Sequence, residues 1–318
     1  MHCAVCKANF AIQDGTLRIY DLYVDDKSAE IGRDPNKVWD KDGFERTYQR
    51  TGYHETGAGF DEREGYPEPY SNFLFQRVKG RLLEWVEPGP QHTVLDIGCG
   101  AGYFLMMIRE RYAKCGFAPK LVGIDISDAQ LSYTVQRMTK EGVDAVVVHG
   151  NGEYLPFADE AFDLITCSEV IEHVRNPHRA LRDMRRILKP EGLLLLSTPS
   201  MTAQNLWGKI LSPFAFIAKN LTGYKSKPKS LLEGYEVPWY AHEFREAIRG
   251  ANFDILDFEY NASIPHPWYS RFLPKYCVRP VVWGFSIADR FFKPVLKPLA
   301  LHFVVRARKA HREQAAIN

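Results

Sequence analysis

Short apolar runs alternate with amphipathic segments along the chain from about residue 91 onward. Seven of these runs have the length of strands: Thr93–Ile97, Leu121–Ile126, Ala145–Val148, Phe162–Cys167, Leu193–Ser197, Ile255–Tyr260 and His302–Arg308. Because strands that alternate with helices are typical of doubly wound parallel sheets, the pattern predicts an α/β fold. We expect the last two strands to form an antiparallel hairpin.

The segments between the strands have helical character, and residues at their ends support the predicted boundaries. Helices are predicted from about residue 102, at 128–140, at 177–188 and at 241–250. Ser127, with Gln130 three residues later, forms a possible capping box. Pro177 occupies a first helical position after Asn176, which is a good capping residue. Residues 189–192, Lys-Pro-Glu-Gly, are expected to break the chain before the fifth strand.

Outside this alternation the sequence predicts additions to a single domain. We interpret residues 1–90 as an irregular N-terminal extension that ends in a helix near 70–86, and residues 91–308 as the domain itself. Two insertions, 200–238 and 261–298, interrupt the alternation beyond the ends of strands, where substrate lids grow on such folds. Residues 309–318 are a tail. The predicted fold is therefore a Rossmann-like seven-stranded α/β domain with an N-terminal extension and two lid-like insertions.

Composition excludes several classes of protein. The 318 residues are 45% hydrophobic and 25% charged, with a net charge of +2, so nothing suggests a nucleic-acid partner. No apolar run reaches the roughly 18 residues of a membrane-spanning helix, and the first residues lack the apolar core of a signal peptide. We expect a cytoplasmic protein. Cys3 and Cys6 form a lone C-x-x-C pair, which supplies at most half of the four ligands of a structural zinc, so we interpret it as part of an ordinary N-terminal loop.

A glycine-rich turn follows the first predicted strand. Gly98, Gly100 and Gly102 let the backbone turn tightly and approach a ligand closely, which suits nicotinamide, flavin and methyltransferase enzymes alike. Tyr103 stands where the dinucleotide fingerprint needs a small residue. Asp96 would repel a pyrophosphate, whereas it suits the ammonium of a methionine moiety. The turn therefore favours a methyltransferase over a dehydrogenase.

The second strand ends in an acidic residue followed by an apolar one, Asp125 and Ile126. A carboxylate at the end of that strand can accept from both hydroxyls of a ribose, which is how adenosine is fixed in such folds. We therefore predict that Asp125 binds the ribose of a nucleoside cofactor.

Four motifs occur in order along this part of the chain: Asp96–Gly102, Gly123–Asp125, Gly150–Phe157 and Ser168–His173. With them the chain resembles the class I S-adenosylmethionine-dependent methyltransferases. The similarity is greatest to the small-molecule branch that includes the ubiquinone and menaquinone biosynthesis enzymes. It covers residues 91–200 strongly and 240–308 in outline, and it implies S-adenosyl-L-methionine as the cofactor.

The resemblance also implies roles for residues beyond the first two strands. Asn151, Gly152 and Glu153 would flank the adenine, and Ser168 would line the methionine end. The family usually has Asp where Asn151 stands, and an amide there still offers the adenine a hydrogen bond with less charge. The expected cofactor-binding residues are Asp96, Gly98, Cys99, Gly100, Gly102, Asp125, Ile126, Asn151, Gly152, Glu153 and Ser168.

The residues after the fourth strand are candidates for the reaction itself. Glu169, Glu172 and His173 would share one face if this segment were helical. Three alternatives stay open for them: a divalent cation site, a general base at His173, and a structural role beside the cofactor. Our catalytic candidates are His173, Glu172 and His242, with no metal assigned. The segment lacks the Asn/Asp-Pro-Pro-aromatic tetrapeptide of enzymes that methylate nucleobase amino groups.

The second insertion is the main clue to the acceptor, because residues 265–298 combine eight aromatic side chains with six basic ones. These aromatics could pack as a roof on the sheet or form a lid for a hydrophobic acceptor, with peripheral membrane contact through 265–298. We hypothesise a small hydrophobic molecule with an oxygen or carbon nucleophile. The alternatives are an NAD(P)-dependent dehydrogenase and a catalytically silent cofactor-binding protein.

Overall fold

The computed structural model of the 318-residue chain describes residues 11–18, 68–206, 209, 237–262, 280, 283–284, 287, 291, 295 and 297–310. Cys3 and Cys6, most of the two predicted insertions and most of the predicted tail lie outside these residues. Among the described residues, no helix is long and apolar enough to cross a membrane.

A single mixed sheet forms the centre of the fold. Its strands are β1 (Ala11–Gln13), β2 (Thr16–Arg18), β3 (Thr93–Ile97), β4 (Lys120–Asp125), β5 (Ala145–His149), β6 (Phe162–Ser168), β7 (Leu188–Pro199), β8 (Phe253–Asn261) and β9 (His302–Lys309). They lie in the order β1-β2-β5-β4-β3-β6-β7-β9-β8. The strands from β2 to β7 in this order pair in parallel, whereas β9 is antiparallel to both β7 and β8. The seven predicted strands and the antiparallel hairpin are confirmed.

Helices cover both faces of the sheet. They are α1 (Glu68–Glu84), α2 (Tyr103–Ala113), α3 (Asp128–Lys140), α4 (Pro177–Ile187) and α5 (Ala241–Gly250). The Ser127 and Asn176 side chains each accept a hydrogen bond from the first turn of the following helix, so the predicted starts of α3 and α4 are confirmed. On one face α4 and α5 bury residues such as Leu181 and Phe244, and on the other α1, α2 and α3 bury residues such as Leu82, Ile108 and Leu131.

A hairpin in the N-terminal extension was not predicted. Strands β1 and β2 pair antiparallel, and β2 adds in parallel to β5 with Thr16 opposite Val147. Thr16 is buried, and Gly15 turns with a φ of 77° where any Cβ would lie 2.9 Å from Val135. Because each strand has only three residues, neither shows a recognisable alternation of apolar and polar positions.

The expected break at residues 189–192 is a bulge inside a longer strand. Phe162 pairs with Leu188, and the next pair joins Leu164 to Leu193, so four residues of β7 stand opposite one residue of β6. Strand β7 therefore begins at Leu188, before Lys189-Pro-Glu-Gly, rather than after it. The turn-forming residues disturb the pairing without ending the strand.

Helix α1 is fastened to the far edge of the sheet by polar contacts. The Arg81 guanidinium donates through two nitrogens to the Glu259 carboxylate on β8, with Nε 3.2 Å from Oε2. The Asn261 amide donates to the backbone oxygen of Arg77 at 3.1 Å. Since Val78 and Leu82 are buried in the core, α1 is held by both apolar packing and charge.

Two carboxylates contact Arg81, and they allow a matched test of this attachment. Glu259 is bidentate and 23% exposed, whereas Glu84 is 66% exposed. We expect Glu259→Gln to lower the free energy of unfolding by about 1–2 kcal/mol and Glu84→Gln by less than about 0.5 kcal/mol. Urea denaturation of both variants measures the difference, and equal losses would show that Glu259 does not anchor α1.

Candidate active site

The strand order creates a crevice at the carboxyl edge of the sheet. In the sheet, β4 and β5 lie on one side of β3, and β6 and β7 lie on the other. The direction in which successive strands are added to the sheet therefore reverses between β3 and β6. In open α/β sheets, ligands bind beyond the carboxyl ends of the strands at such a switch point. The predicted motifs lie at these strand ends, because β3 ends at Ile97, β4 at Asp125 and β6 at Ser168.

The glycine turn after β3 is built from left-handed residues. Gly98, Gly100 and Gly102 have φ values of 69°, 52° and 78°, which favour glycine. A Cβ on Gly98 would lie 2.2 Å from Cγ2 of Val170, and one on Gly102 would lie 3.0 Å from Cγ2 of Thr134. The turn is thus pressed between the loop after β6 and helix α3, and its backbone leaves no space for side chains at these two positions.

Cys99 has a different position from its glycine neighbours. Its side chain is buried, and a Cβ added to Gly123 would lie 2.8 Å from its Sγ. Burial raises the pKa of the Cys99 thiol, and the nearby Asp125 and Asp96 carboxylates raise it further. Since the thiol packs inward, Cys99 can offer a ligand its backbone rather than its sulfur.

The Asp125 carboxylate joins the glycine turn to the start of α3. One oxygen accepts from the Gly100 N–H and the other from the Ser127 N–H, both at 2.8 Å. These bonds fix the carboxylate at the end of β4, and a carboxylate oxygen can accept more than one hydrogen bond, including one from a ligand hydroxyl. Ile126 beside it is half-buried, as an apolar surface for an adenine would be.

Asp96 is a buried carboxylate near the end of β3. It is 2% exposed and accepts from the Thr166 hydroxyl on β6 at 2.6 Å. Burial raises the pKa of Asp96, against the opposing influence of the Lys79 ammonium and the Thr166 hydroxyl. A desolvated carboxylate of this kind gains most from a cationic ligand.

Gln130 is a site feature that sequence reasoning used only as part of a cap. The residue is 1% exposed, and neither polar atom of its side-chain amide has a hydrogen-bond partner among the described residues. Its Oε1 lies 3.6 Å from where a Cβ on Gly100 would be. Unpaired polar atoms are costly when buried, so an unsatisfied amide beside the glycine turn is consistent with a site built to bind polar groups.

The expected adenine residues lie after β5, and their side chains also hold the loop together. The Asn151 side-chain oxygen accepts from the Glu153 N–H at 3.0 Å. The buried Glu153 carboxylate accepts from the N–H groups of Arg175 at 2.7 Å and Asn176 at 3.3 Å. A Cβ on Gly152 would lie 3.0 Å from Ile97, so this loop packs directly against the end of β3. Glu153 therefore orders the loop before α4.

A polar network links the ends of β6, β7 and β9. The hydroxyls of Ser168 and Ser197 are 2.7 Å apart, and Ser197 donates to Oε1 of Glu169 at 2.7 Å. Oε2 of Glu169 lies 2.8 Å from Nδ1 of His302, the first residue of β9. Burial acts to raise the pKa of Glu169, but His302 and the Ser197 hydroxyl outweigh it, and the pKa is lowered.

Glu169 itself has strained backbone. Its φ is 59°, in the left-handed region that non-glycine residues seldom occupy. Such strain persists only where surrounding contacts determine the geometry, and it clusters at functional sites. The contacts with Ser197 and His302 are the ones that hold the Glu169 side chain here.

The segment with the catalytic candidates is a turn rather than the helix that their spacing suggested. Glu172 is buried and accepts from the Thr198 hydroxyl at 3.1 Å, while the Glu169 carboxylate is directed to Ser197 and His302. The His173 N–H donates to the backbone oxygen of Val170 at 2.8 Å, which closes the turn. Among the residues with described coordinates, no group of three or more His, Cys, Asp or Glu side chains could hold a metal ion.

His242 lies near the same edge of the sheet but on its surface. It is exposed in the first turn of α5, close to Tyr240. The backbone N–H of Trp239, three residues earlier, donates to the backbone oxygen of Pro199 at the end of β7. The structure therefore brings His242 to the correct end of the sheet, but none of the described residues is recorded as a polar partner that would mark it as a base.

The structure adds four polar residues to those found from sequence: Lys79, Gln130, Ser197 and His302. A signal existed for His302, because the first residue of an antiparallel strand lies at the edge where its parallel neighbours end. Nothing in the local sequence distinguishes Lys79, since it belongs to helix α1, which ends before β3 and the glycine turn begin.

Comparison with known proteins identifies the family to which the chain belongs. The family model described as a methyltransferase domain matches residues 95–196. A demethylmenaquinone methyltransferase of Bacillus velezensis is 30% identical over 197 residues, which are 58% of this chain and 83% of that protein. The chain belongs to the class I S-adenosylmethionine-dependent methyltransferases. The predicted family, Rossmann-like fold and cofactor are thereby confirmed.

Other members of this methyltransferase family match over shorter lengths. A ubiquinone biosynthesis O-methyltransferase of Maricaulis maris is 36% identical over 112 residues, 35% of this chain and 42% of that protein. The chain thus matches less than half the length of this relative. In fold, a Haloferax volcanii methyltransferase solved with the Trm112 methyltransferase activator superimposes with a TM-score of 0.53, at 17% identity, over 85% of this chain and 98% of that one.

The crowding around the glycine turn can be measured against a glycine with the same backbone. Gly98 and Gly116 have φ values of 69° and 78°, so alanine at either position carries about 1 kcal/mol of strain. Gly116 has open space around it, whereas Gly98 faces Val170. We expect Gly98→Ala to lower the free energy of unfolding by at least about 3 kcal/mol, and Gly116→Ala by about 1 kcal/mol. Urea denaturation of both variants measures the two losses. Similar losses in the free energy of unfolding would mean that the glycine turn is not sterically constrained.

Proposed function

We propose that this chain transfers a methyl group from S-adenosylmethionine to a small hydrophobic acceptor through an oxygen or carbon nucleophile. The observation that supports this most is the pair of fixed carboxylates, Asp96 and Asp125, on either side of a glycine turn at the switch point of the sheet. Carboxylates at these two positions would repel the pyrophosphate of a dinucleotide. They suit a ligand that has an ammonium at one end and ribose hydroxyls at the other.

The residues fit this cofactor by their chemistry. We propose that Asp96 binds the ammonium, that Asp125 binds the ribose hydroxyls and that Ser168 lines the methionine end. The remaining predicted cofactor-binding residues would surround the nucleoside: Gly98, Cys99, Gly100, Gly102, Ile126, Asn151, Gly152 and Glu153. The unpaired amide of buried Gln130 supports this proposal, because a polar ligand beside the turn is what such a group lacks.

The bound cofactor supplies an electrophilic methyl group on a sulfonium, and the chain's part is alignment and proton removal. We propose His173 and His242 as proton acceptors from the acceptor's hydroxyl or carbon acid. Glu172, buried and bonded to Thr198, holds the turn that carries His173. The contact between Glu169 and His302 offers a third imidazole at this edge of the sheet, oriented by a carboxylate.

The nature of the acceptor is inferred from relatives and from exposed apolar residues. Relatives of this chain act, by their names, in ubiquinone and menaquinone biosynthesis. Within the segment predicted as a lid, Trp283 is 68% exposed and Phe291 is 72% exposed. A roof packed on the sheet would bury such side chains, so their exposure favours a hydrophobic acceptor or a membrane surface as their partner.

The cofactor assignment predicts a selective ligand. By isothermal titration calorimetry, S-adenosylhomocysteine should bind the full chain and NAD should not. Asp125→Ala should weaken S-adenosylhomocysteine roughly 10- to 100-fold, because a charge-assisted contact with the ribose is lost. Asp144 is an exposed carboxylate just before β5, at the end of the sheet opposite the crevice. Asp144→Ala is therefore the matched control and should leave the affinity for S-adenosylhomocysteine unchanged.

Other results would select the alternatives. Binding of NAD in place of S-adenosylhomocysteine would indicate a dehydrogenase. Binding of S-adenosylhomocysteine with no methylation of hydroquinone or phenol acceptors would indicate a silent cofactor-binding protein.

The lid assignment predicts an effect that depends on the acceptor's length. Replacing Trp283 and Phe291 by Ser should lower kcat/KM about tenfold for a hydroquinone with an isoprenoid tail, because buried methylene groups contribute about 0.8 kcal/mol each. For the tailless hydroquinone kcat/KM should be unchanged. Leu256→Ser, an exposed apolar residue on β8, is the control. Equal losses for both acceptors would contradict the lid, and loss of binding to anionic vesicles alone would favour membrane contact.

A further inference from the structure

The imidazole of His302 lies where the two predicted insertions join the sheet. His302 begins β9 and pairs with Pro199 at the end of β7, directly before the first insertion. On its other side it pairs with Asn261 at the end of β8, where the second insertion begins. The N–H of Leu301 donates to the backbone oxygen of Ala262 at 3.1 Å, which fixes this junction. Since lids on such folds cover the acceptor, His302 lies on the side of the crevice expected for the acceptor.

A carboxylate contacts one nitrogen of this imidazole. Nδ1 of His302 lies 2.8 Å from Oε2 of Glu169, and the two side chains are 11% and 31% exposed, so the pair is not closed off in the core. A carboxylate beside Nδ1 favours a proton on that nitrogen, which leaves the lone pair of the neutral ring on Nε2. No hydrogen bond to Nε2 is found among the described residues, so this nitrogen can accept from a ligand hydroxyl.

The Glu169 carboxylate is held in place and kept charged. Its other oxygen accepts from the Ser197 hydroxyl at 2.7 Å, and its backbone has the left-handed conformation described above. Burial acts to raise the pKa of Glu169, but the His302 imidazole, the Ser197 hydroxyl and the Lys79 ammonium outweigh it, and the pKa is lowered. A fixed, ionised carboxylate orients an imidazole and stabilises the imidazolium that forms when the ring takes a proton.

The same carboxylate connects His302 to the residue proposed for the methionine end of the cofactor. Ser197 lies between Glu169 and Ser168, and the two serine hydroxyls are 2.7 Å apart. Contacts of 2.8, 2.7 and 2.7 Å therefore run without interruption from the imidazole to Ser168. His302 thus has a fixed position relative to the end of the crevice from which the methyl group would be donated.

We propose that His302, held by Glu169, removes the proton from a hydroxyl of the acceptor, which makes the acceptor an oxygen nucleophile. The hydroxyl proton passes to Nε2, and an electron pair of the oxygen forms the new bond to the methyl group. The bond between that methyl and the sulfonium breaks with its electron pair left on sulfur, and the imidazolium later returns its proton to water. His302 is then a catalytic residue and Glu169 a positioning residue. This assignment rests on the proposed function, and it selects His302 from the imidazoles at this edge of the sheet.

The test compares two acceptors of similar shape that differ in whether the hydroxyl still carries its proton. Hydroquinone is protonated near neutral pH, because phenols ionise at about pH 10, whereas the fluorines of tetrafluorohydroquinone make it ionise at a much lower pH. At a pH between the two pKa values, His302→Gln should lower kcat roughly 100-fold for hydroquinone and less than about threefold for tetrafluorohydroquinone, which needs no base. Glu169→Gln should show the same selectivity with a smaller loss, roughly tenfold for hydroquinone.

Cofactor affinity and further variants separate this role from a structural one. His302→Gln should bind S-adenosylhomocysteine within about twofold of the wild type by calorimetry, because the proposed role concerns the acceptor alone. His178→Gln replaces an exposed histidine on α4 and should leave both kcat values unchanged. Equal losses for both acceptors in His302→Gln would overturn the assignment, since a structural role affects both. A selective loss in His173→Gln or His242→Gln instead would also overturn it.

Two further outcomes have a defined meaning. If His302→Gln does not fold, the same comparison on Glu169→Gln decides: selective loss supports the assignment, and equal losses overturn it. A wild-type chain that binds S-adenosylhomocysteine and methylates neither acceptor would contradict the proposed function, and this assignment with it. A wild type that methylates both, without selective loss in the variants, would contradict this assignment alone.

Discussion

The turn between β3 and α2 has almost no freedom, and the rest of the site depends on that constraint. Val170 lies where a side chain on Gly98 would project, and Thr134 lies close to where one on Gly102 would project. Side chains of the loop after β6 and of helix α3 therefore pack directly against the backbone of the glycine turn. Asp125 reinforces this arrangement by accepting from the Gly100 N–H. The distances between the strand ends, and with them the spacing of the polar groups in the crevice, follow from this packing.

Electrostatics adds a second constraint, because the crevice concentrates negative charge away from water. Asp96 and Glu172 are almost completely buried, and Asp96 has a raised pKa as a consequence. Folding a chain with such groups has a cost, which the hydroxyls of Thr166 and Thr198 offset only in part. A site of this kind is less stable empty than filled, so a cationic ligand would stabilise the folded chain as well as bind to it.

The sequence predicted those features that depend on neighbours in the chain. The start of α3 followed from Ser127, and the strands followed from short apolar runs. The four motifs between Asp96 and His173 were enough to identify the family. The sequence could not provide the contacts between distant segments, such as those of Glu169 with Ser197 and with His302. The helical spacing of Glu169, Glu172 and His173 was misleading, because tertiary bonds hold that segment as a turn.

The small N-terminal hairpin has a consequence for the chain's behaviour in solution. Without β1 and β2, strand β5 would present a row of unpaired N–H and C=O groups, and Val146 within it is already 46% exposed. An open parallel edge of this kind is a template on which a second molecule can add a strand. The hairpin replaces it with an outer strand of only three residues, β1, which is too short to be an effective template. The hairpin contributes little to the core, but by covering the edge of β5 it disfavours self-association.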